Sequence, residues 1–301
     1  MRVPEIKLWA GESDGRPGLT REFLIADVFT GAALEGNQLG IFTDGRGLSD
    51  ELMLKATREM NFSETVFFLP PAAGDDADAH VRIFTPGGEI PFAGHPTLGS
   101  AWVLGSILGS RTVRIRTAAG LVPVELERAG ETITFGRMSQ PIPTWEPYDR
   151  AAELIDALGT APKAGGLPVE TYTNGPVNVY VEFPDEAAVV ALDPDMQRLG
   201  KIPLNVSCYA QARTDWITRM FAPALDVTED PATGSAAGPL AVHLARHGRI
   251  EFGEEIMIRQ GAQIHRPSVL YARVEGTPEI IRQVVVGGEA VVVARGEYQL
   301  G

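Results

Sequence analysis

A seven-residue phrase occurs twice in this 301-residue chain. His95-Pro96-Thr97-Leu98-Gly99-Ser100-Ala101 returns 135 positions later (230 minus 95) as Asp230-Pro231-Ala232-Thr233-Gly234-Ser235-Ala236. Each copy follows a Phe-x-Pro, Phe84-Thr85-Pro86 or Phe221-Ala222-Pro223, and each leads into a run of small and apolar residues. The spacing lies far outside the roughly 20–50-residue periods of solenoids and propellers, so the echo predicts two duplicated halves. The copies differ at their first residue. On this reading two equivalent turns bring different proton-handling side chains, His95 and Asp230, and a symmetric fold gains an asymmetric site.

At about 100–200 residues per domain, the length agrees with two halves. Hydrophobic residues make up 44% and charged residues 22%, as in ordinary globular proteins. No apolar run approaches the ~18 residues of a membrane span, and the segment Met1–Lys7 has no apolar core of a secretory signal. The single cysteine, Cys208, has no internal disulfide partner, so the expected compartment is a reducing cytoplasm. A net charge of −13 opposes nucleic acid or an anionic membrane as partner. A small anionic substrate remains open, because local donors decide its binding.

Residues 1–20 are polar and rich in Gly and Pro and are expected to form a flexible lead. The N-terminal half is expected over 21–137 and the C-terminal half over 138–301, with the final strand able to pack back on the first half. Pro141 and Pro143 interrupt any element at this boundary. Strands are expected at 22–29, 39–42, 66–69, 81–84, 112–117, 121–127 and 132–136. In the second half they fall at 168–173, 177–183, 204–209, 216–221, 255–260 and 269–275, closing with one valine-rich strand over 284–294. Ser49 offers an N-cap for a helix over 50–60. The segments 96–108 and 234–247 are apolar on almost every side, which predicts buried helices. The expected class is α+β, a sheet wrapped around one buried helix in each half.

Neither the P-loop nor the dinucleotide fingerprint is present. His243 and His247 stand four residues apart, but Leu244 occupies the place where the zincin pattern needs Glu. Histidines near a helix C-terminus are favoured by its dipole in any case, and no metal is expected. Ser235 lies in Gly-Ser-Ala-Ala-Gly, which is not a nucleophile elbow. What remains is two helix starts, Gly94-His95-Pro96 and Asp230 to Ser235. Such termini bind anions through free N–H groups and the macrodipole, and two facing across a seam would grip a carboxylate. Taken singly, Asp230 or Thr233 has a sufficient explanation as an N-cap, and proline is common at a helix start. Glu64 is a further candidate, where a polar triplet enters an apolar strand. By pattern alone it is a solvated loop residue; burial would raise its pKa and suit it to carry one proton.

Several stretches together resemble the PhzF-type proteins of the diaminopimelate epimerase-like fold. They are Asp27-Val28-Phe29-Thr30, Gly36-Asn37, Arg58-Glu59-Met60-Asn61-Phe62-Ser63-Glu64-Thr65, Pro91-Phe92-Ala93-Gly94-His95-Pro96 and Glu229-Asp230-Pro231-Ala232-Thr233-Gly234-Ser235. The resemblance runs from about Arg21 to the C-terminus. It tightens toward the phenazine-biosynthesis isomerases of that family at Met138–Trp145, Asn174-Gly175-Pro176, Gly238–Gly248 and Ile250-Glu251-Phe252-Gly253. Gln38 departs from the family's usual proline.

The resemblance implies a homodimeric isomerase without cofactor or metal, acting on an anthranilate-like cyclic amino acid, trans-2,3-dihydro-3-hydroxyanthranilate, to give an aminoketone. It implies that Glu64 takes the C3 proton and returns it at C1, and that His95 and Asp230 hold protons and orient the amino and hydroxyl groups. Asn37, Gly94, Gly234 and Ser235 would surround the substrate. The related racemases use a cysteine pair, which this chain lacks. Two other readings stay open, because fold alone does not fix a substrate. One is an isomerase of another small cyclic amino or hydroxy acid; the other is a small-molecule binding protein without catalysis.

Overall fold

The computed structural model describes residues 8–9 and 19–301. Of the lead expected over 1–20, residues 1–7 and 10–18 lie outside the described residues. Leu19 exchanges main-chain hydrogen bonds with Leu300 and Gly301, and Thr20 already opens the first strand. The chain divides into two compact units, one running up to Met138 and including Gly287–Gly301, the other covering Ser139–Val286. Six helices are present among the described residues: α1 (Asp50–Met60), α2 (Gly94–Leu108), α3 (Ala151–Leu158), α4 (Glu186–Val190), α5 (Met196–Leu199) and α6 (Gly234–Arg246).

In the first unit, Thr20–Val28 runs antiparallel to Asn37–Phe42. After α1 the chain returns as Glu64–Leu69, parallel to Asn37–Phe42 with Leu39 beside Glu64. It then folds back antiparallel as Ala79–Thr85 and makes a short hairpin with Gly88–Ile90. Helix α2 follows, then Thr112–Thr117, whose Ile115 lies parallel beside Ala79, and the antiparallel strands Gly120–Ala129 and Thr132–Gln140. The closing strand Ala290–Gln299 pairs antiparallel with Thr20–Val28.

The second unit repeats this path. Glu170–Thr173 is antiparallel to Val177–Glu182; α4 and α5 take the place of α1; Asn205–Gln211 returns parallel to Val177–Glu182. Trp216–Ala222 folds back antiparallel and pairs with Val227–Asp230. After α6 comes Glu255–Gln260, whose Ile258 lies parallel beside Trp216, and then antiparallel Ser268–Gly276. The core of each unit is its long helix: Gly94–Gly105 of α2 and Gly234–Ala245 of α6 are buried throughout. Neither helix therefore has the polar face of a surface helix. Close packing fixes small residues here. A Cβ on Gly99 would stand 2.7 Å from Leu39 and 2.8 Å from Val28, on two of the strands that α2 covers.

Two expectations need correction. The valine-rich segment 284–294 is two strands, Ile281–Gly288 and Ala290–Gln299. The run of valines on both sides of Glu289 conceals the turn, and Gly287-Gly288 is the breaker that marks it. The second correction concerns the echo. In the fold, Arg82-x-Phe84-x-Pro86 matches Arg219-x-Phe221-x-Pro223: each guanidinium lies over its phenylalanine, at 5.1 and 4.9 Å, and each pairs with an acid on the next strand, Glu89 or Glu229. The phenylalanines are 137 positions apart (221 minus 84), the helix starts 140 (234 minus 94). A 3-10 turn at Pro223–Leu225 accommodates the longer connection. His95 thus matches Ser235. The residue matching Asp230 is Ile90, since Ile90 faces Ile83 across its hairpin as Asp230 faces Met220. The echoed heptapeptides are out of register with the fold, and His95 and Asp230 do not occupy equivalent turns.

Candidate active site

Glu64, His95 and Asn37 meet in the first unit. Helix α1 ends on Asn61, whose left-handed backbone (φ 54°) turns the chain, and Glu64 begins the next strand. Gly36 reaches φ +67° just ahead of Asn37, and a Cβ there would lie 2.5 Å from the Val28 carbonyl oxygen; only glycine suits the position. Asn37 and Glu64 thereby stand at the same ends of two parallel strands, beside the first turn of α2. Ser63 Oγ donates to Asn37 Oδ1 at 3.0 Å, and Asn37 Nδ2 lies 3.2 Å from His95 Nδ1. On the other side of the ring, His95 Nε2 faces Glu64 Oε2 at 3.6 Å. Burial pushes the imidazole pKa down to about 3, against an opposing hydrogen bond with the Gln38 main chain. Burial thus works against an ion pair between the two groups and favours the neutral imidazole. The Glu64 side chain is only 16% exposed, which replaces the solvated-loop expectation. Gly94 opens α2 and is buried.

Asp230, Gly234 and Ser235 form a second group, in the other unit. Asp230 closes the strand Val227–Asp230 and is 5% exposed. Thr233 stands at the N-cap of α6 but caps nothing with its side chain. Its hydroxyl instead donates to Asp230 Oδ2 at 2.6 Å. The N-cap explanation therefore fails for Thr233, and α2 likewise starts without a side-chain cap, at Ala93. By contrast Ser49, Asp185 and Asp195 cap α1, α4 and α5. The two buried helices share this lack of a side-chain cap with α3, which starts at Arg150, so their first N–H groups are left to other acceptors.

The turn before α6 is held by residues that the site reading from sequence missed. Gln260 Nε2 donates to the Asp230 carbonyl at 2.8 Å and to Thr233 Oγ1 at 3.0 Å. Gln140 Nε2 donates to the Gly234 carbonyl at 2.7 Å, Asn174 Nδ2 to that of Ser235 at 2.9 Å, and Tyr180 Oη to that of Ala236 at 2.7 Å. Gln140 and Asn174 lie in stretches that carry the family resemblance. Nothing in the sequence marks Gln260.

His243 and His247 reach one carboxylate from the far end of α6. Glu170 Oε2 lies 3.2 Å from His243 Nδ1, 3.1 Å from His247 Nε2 and 3.1 Å from Arg246 Nη1, and it accepts from Tyr172 Oη at 2.8 Å. Three potential metal ligands, Glu170, His243 and His247, thus lie within 4.8 Å of one another. The Arg246 guanidinium on the same oxygen supplies the compensating positive charge and would repel a second cation. Burial alone would raise the Glu170 pKa, but hydrogen bonds from His243, His247 and Tyr172 outweigh it and hold it below the usual carboxylate range. This carboxylate, more than the helix dipole, accounts for the two histidines.

The family model described as phenazine biosynthesis-like protein matches residues 26–296. The trans-2,3-dihydro-3-hydroxyanthranilate isomerase of Pseudomonas chlororaphis is 46% identical over 279 residues, which cover 92% of this chain and 99% of that protein. The crystal structure of a Bacillus anthracis phenazine biosynthesis protein of the PhzF family superposes with a TM-score of 0.82 at 25% identity, over 93% of this chain and 99% of the other. A hydroxyproline epimerase from Agrobacterium vitis shares the fold alone, with a TM-score of 0.66 at 14% identity over 92% of each chain. A duplicated unit of mixed sheet around one buried helix, the motifs that carry Glu64, His95 and Asp230, and identity along nearly the whole chain lead to one assignment: the chain belongs to the PhzC/PhzF family of phenazine biosynthesis-like proteins, with the diaminopimelate epimerase-like fold.

Proposed function

We propose that the protein isomerises trans-2,3-dihydro-3-hydroxyanthranilate to the corresponding aminoketone by moving one proton. Glu64 is the base: its carboxylate takes the proton from C3, the ring double bonds shift, and the same carboxyl returns the proton to C1. The enol left at C3 then tautomerises to the ketone, its hydroxyl giving up a proton as one adds at C4, so no atom is gained or lost overall. The observation that carries this reading is the Glu64–His95 pair. A mostly buried carboxyl beside an imidazole that burial keeps neutral, 3.6 Å away, is placed to accept and release a proton. Asn37 orients His95, Asp230 binds the amino group of the substrate, and Gly94, Gly234 and Ser235 complete its binding. The 46% identity to a protein named for this reaction supports the substrate. A homodimer in the cytoplasm is part of the same proposal.

Proton NMR in D2O tests it, with the purified protein and trans-2,3-dihydro-3-hydroxyanthranilate beside a Glu64→Gln control. The wild type is expected to consume the substrate and place hydrogen at C1. The variant should be slower on the order of a thousandfold, as for loss of a general acid–base group. An unchanged substrate spectrum with well-folded wild type would overturn the substrate assignment. Full activity in Glu64→Gln would overturn the role of Glu64.

A further inference from the structure

We propose that Gln260 is a positioning residue that aims the Asp230 carboxylate by way of the Thr233 hydroxyl; this rests on the reading of Asp230 as a substrate-binding group. Gln260 is the last residue of the strand Glu255–Gln260 and is 5% exposed. Its side chain uses its full hydrogen-bonding capacity on one turn and one neighbour. The amide nitrogen donates to the Asp230 carbonyl at 2.8 Å and to Thr233 Oγ1 at 3.0 Å. The amide oxygen accepts from Thr233 N–H at 3.3 Å and from Thr218 Oγ1 at 3.1 Å. Turning the amide over would set its oxygen against the Asp230 carbonyl oxygen, so this orientation is the one the network allows.

The consequence lies one bond further on. With a lone pair of Thr233 Oγ1 taken by Gln260, the hydroxyl proton points to Asp230 Oδ2, 2.6 Å away. Gln260 therefore fixes the direction of the Thr233 hydroxyl that donates to the carboxylate, and through the main chain it also fixes where Asp230 stands. Backbone geometry supports the close approach: Gly261 adopts φ +79°, and a Cβ there would lie 2.5 Å from the Pro231 carbonyl oxygen.

The first unit supplies an internal control. The strand Thr112–Thr117 holds the place of Glu255–Gln260: Ile115 lies beside Ala79 as Ile258 lies beside Trp216, and Thr117 faces Gly120 as Gln260 faces Ser268. Thr117 therefore matches Gln260, just as Ile90 matches Asp230. Thr117 spends its hydroxyl on its own turn, donating to the Gly120 carbonyl at 3.2 Å. The unit without the carboxylate lacks the glutamine, and the unit with the carboxylate has both. A glutamine needed only to end this strand would have no reason to differ between the copies.

The test is steady-state kinetics on trans-2,3-dihydro-3-hydroxyanthranilate with wild type, Gln260→Met, Thr233→Val, Asp230→Asn, the combinations of Gln260→Met with each of the other two, and Thr117→Val. Gln260→Met is expected to raise KM on the order of tenfold, the scale of a hydrogen bond to a charged group, with kcat within about threefold. Thr233→Val should do the same, and the pair should be no worse than the worse single change, because both act on one carboxylate. In the Asp230→Asn background, Gln260→Met should add little. Thr117→Val should leave KM unchanged. A KM unchanged in Gln260→Met, or losses that multiply in the Asp230→Asn background, overturns the proposal. A structural role would lower kcat through the folded fraction and spare KM. Should Gln260→Met fail to fold, Thr233→Val alone decides: an unchanged KM breaks the link to Asp230. Full activity in Asp230→Asn instead refutes the reading of Asp230, and that outcome is read independently of Gln260.

Discussion

The two units trace the same path, yet they hold the starts of their buried helices in different ways. Around α2 the polar chain is short and leads outward from the helix: His95 to Asn37 to Ser63, with Glu64 standing 3.6 Å off. Around α6, four side chains from the surrounding strands and loops, Gln140, Asn174, Tyr180 and Gln260, grip consecutive carbonyls and the turn before the helix. The first arrangement sets a carboxyl beside an imidazole, the pair proposed to carry the proton. The second immobilises its turn, as the proposed binding role of Asp230 requires. Duplication supplied the frame, and divergence in the strands that face each helix separated the two jobs.

The largest expected effect comes from the duplicated arginines. Arg219 is buried, paired with Glu229, and donates to the carbonyls of Val189, Val190 and Leu192 at the end of α4. Arg82 makes the matching pair with Glu89 and reaches Asp50 at the start of α1, but Asp50 is 82% exposed. Removing one partner of a buried ion pair strands the other charge and costs about 3–5 kcal/mol, whereas exposed pairs contribute about 0–1 kcal/mol. Urea unfolding of Arg219→Met and Arg82→Met should therefore differ by several kcal/mol. Equal losses would mean that the two copies carry the same structural load despite their burial.

How much of this was legible in the sequence depended on the kind of signal. Apolar runs announced α2 and α6, and Ser49 announced α1, because local patterns determine them. The echo announced the duplication but misplaced its register. Small residues are required along the buried helix of each unit, so Gly-Ser-Ala recurs by demand of packing, while the turn Pro223–Leu225 shifts the frame unseen. The echo singled out His95 and the polar triplet before an apolar strand singled out Glu64, but their roles came only with the family motifs, since Glu64 alone looks like a loop residue. Gln260 left no trace: its partners are Asp230 and Thr233, some thirty residues away in sequence, and only the strand pairing brings them together.

The next effect sharpens the contrast between the two helix starts through pH. Burial lowers the His95 pKa from 6.5 to about 3. The unfolded chain takes up the proton as pH falls through 6.5, and the folded chain does so only near 3. Stability contributed by the neutral imidazole is thus present above 6.5 and is lost as pH falls through that window. The slope is up to about 1.4 kcal/mol per pH unit for one proton. His95→Asn, unable to titrate, should show a shallower decline in unfolding free energy between pH 6 and pH 4, by about 2 kcal/mol over that interval. Parallel curves would show that His95 is already protonated in the fold, by Glu64, and the proposed neutral pair would be wrong.

The smallest effect concerns where each helix carries its proline. Pro96 is the third residue of α2, among the first N–H positions that have no partner within a helix, so its missing N–H costs nothing there. Pro239 is the sixth residue of α6, and its missing N–H leaves the Ser235 carbonyl without its partner four residues on. Asn174 Nδ2 fills that vacancy at 2.9 Å. Asn174→Leu should destabilise the protein by about 1–3 kcal/mol, the cost of a buried acceptor left unpaired. Combined with Pro239→Ala, which restores a backbone N–H to the helix, the same change should cost about 1 kcal/mol less. Pro96→Ala offers Asn174→Leu no such rescue, since no carbonyl of α2 is waiting for that amide. Urea unfolding of the two double variants reads the difference directly. If the penalties simply add in both, Asn174 is not repairing the proline, and the dense clamp around α6 must owe its existence to the substrate-binding turn alone.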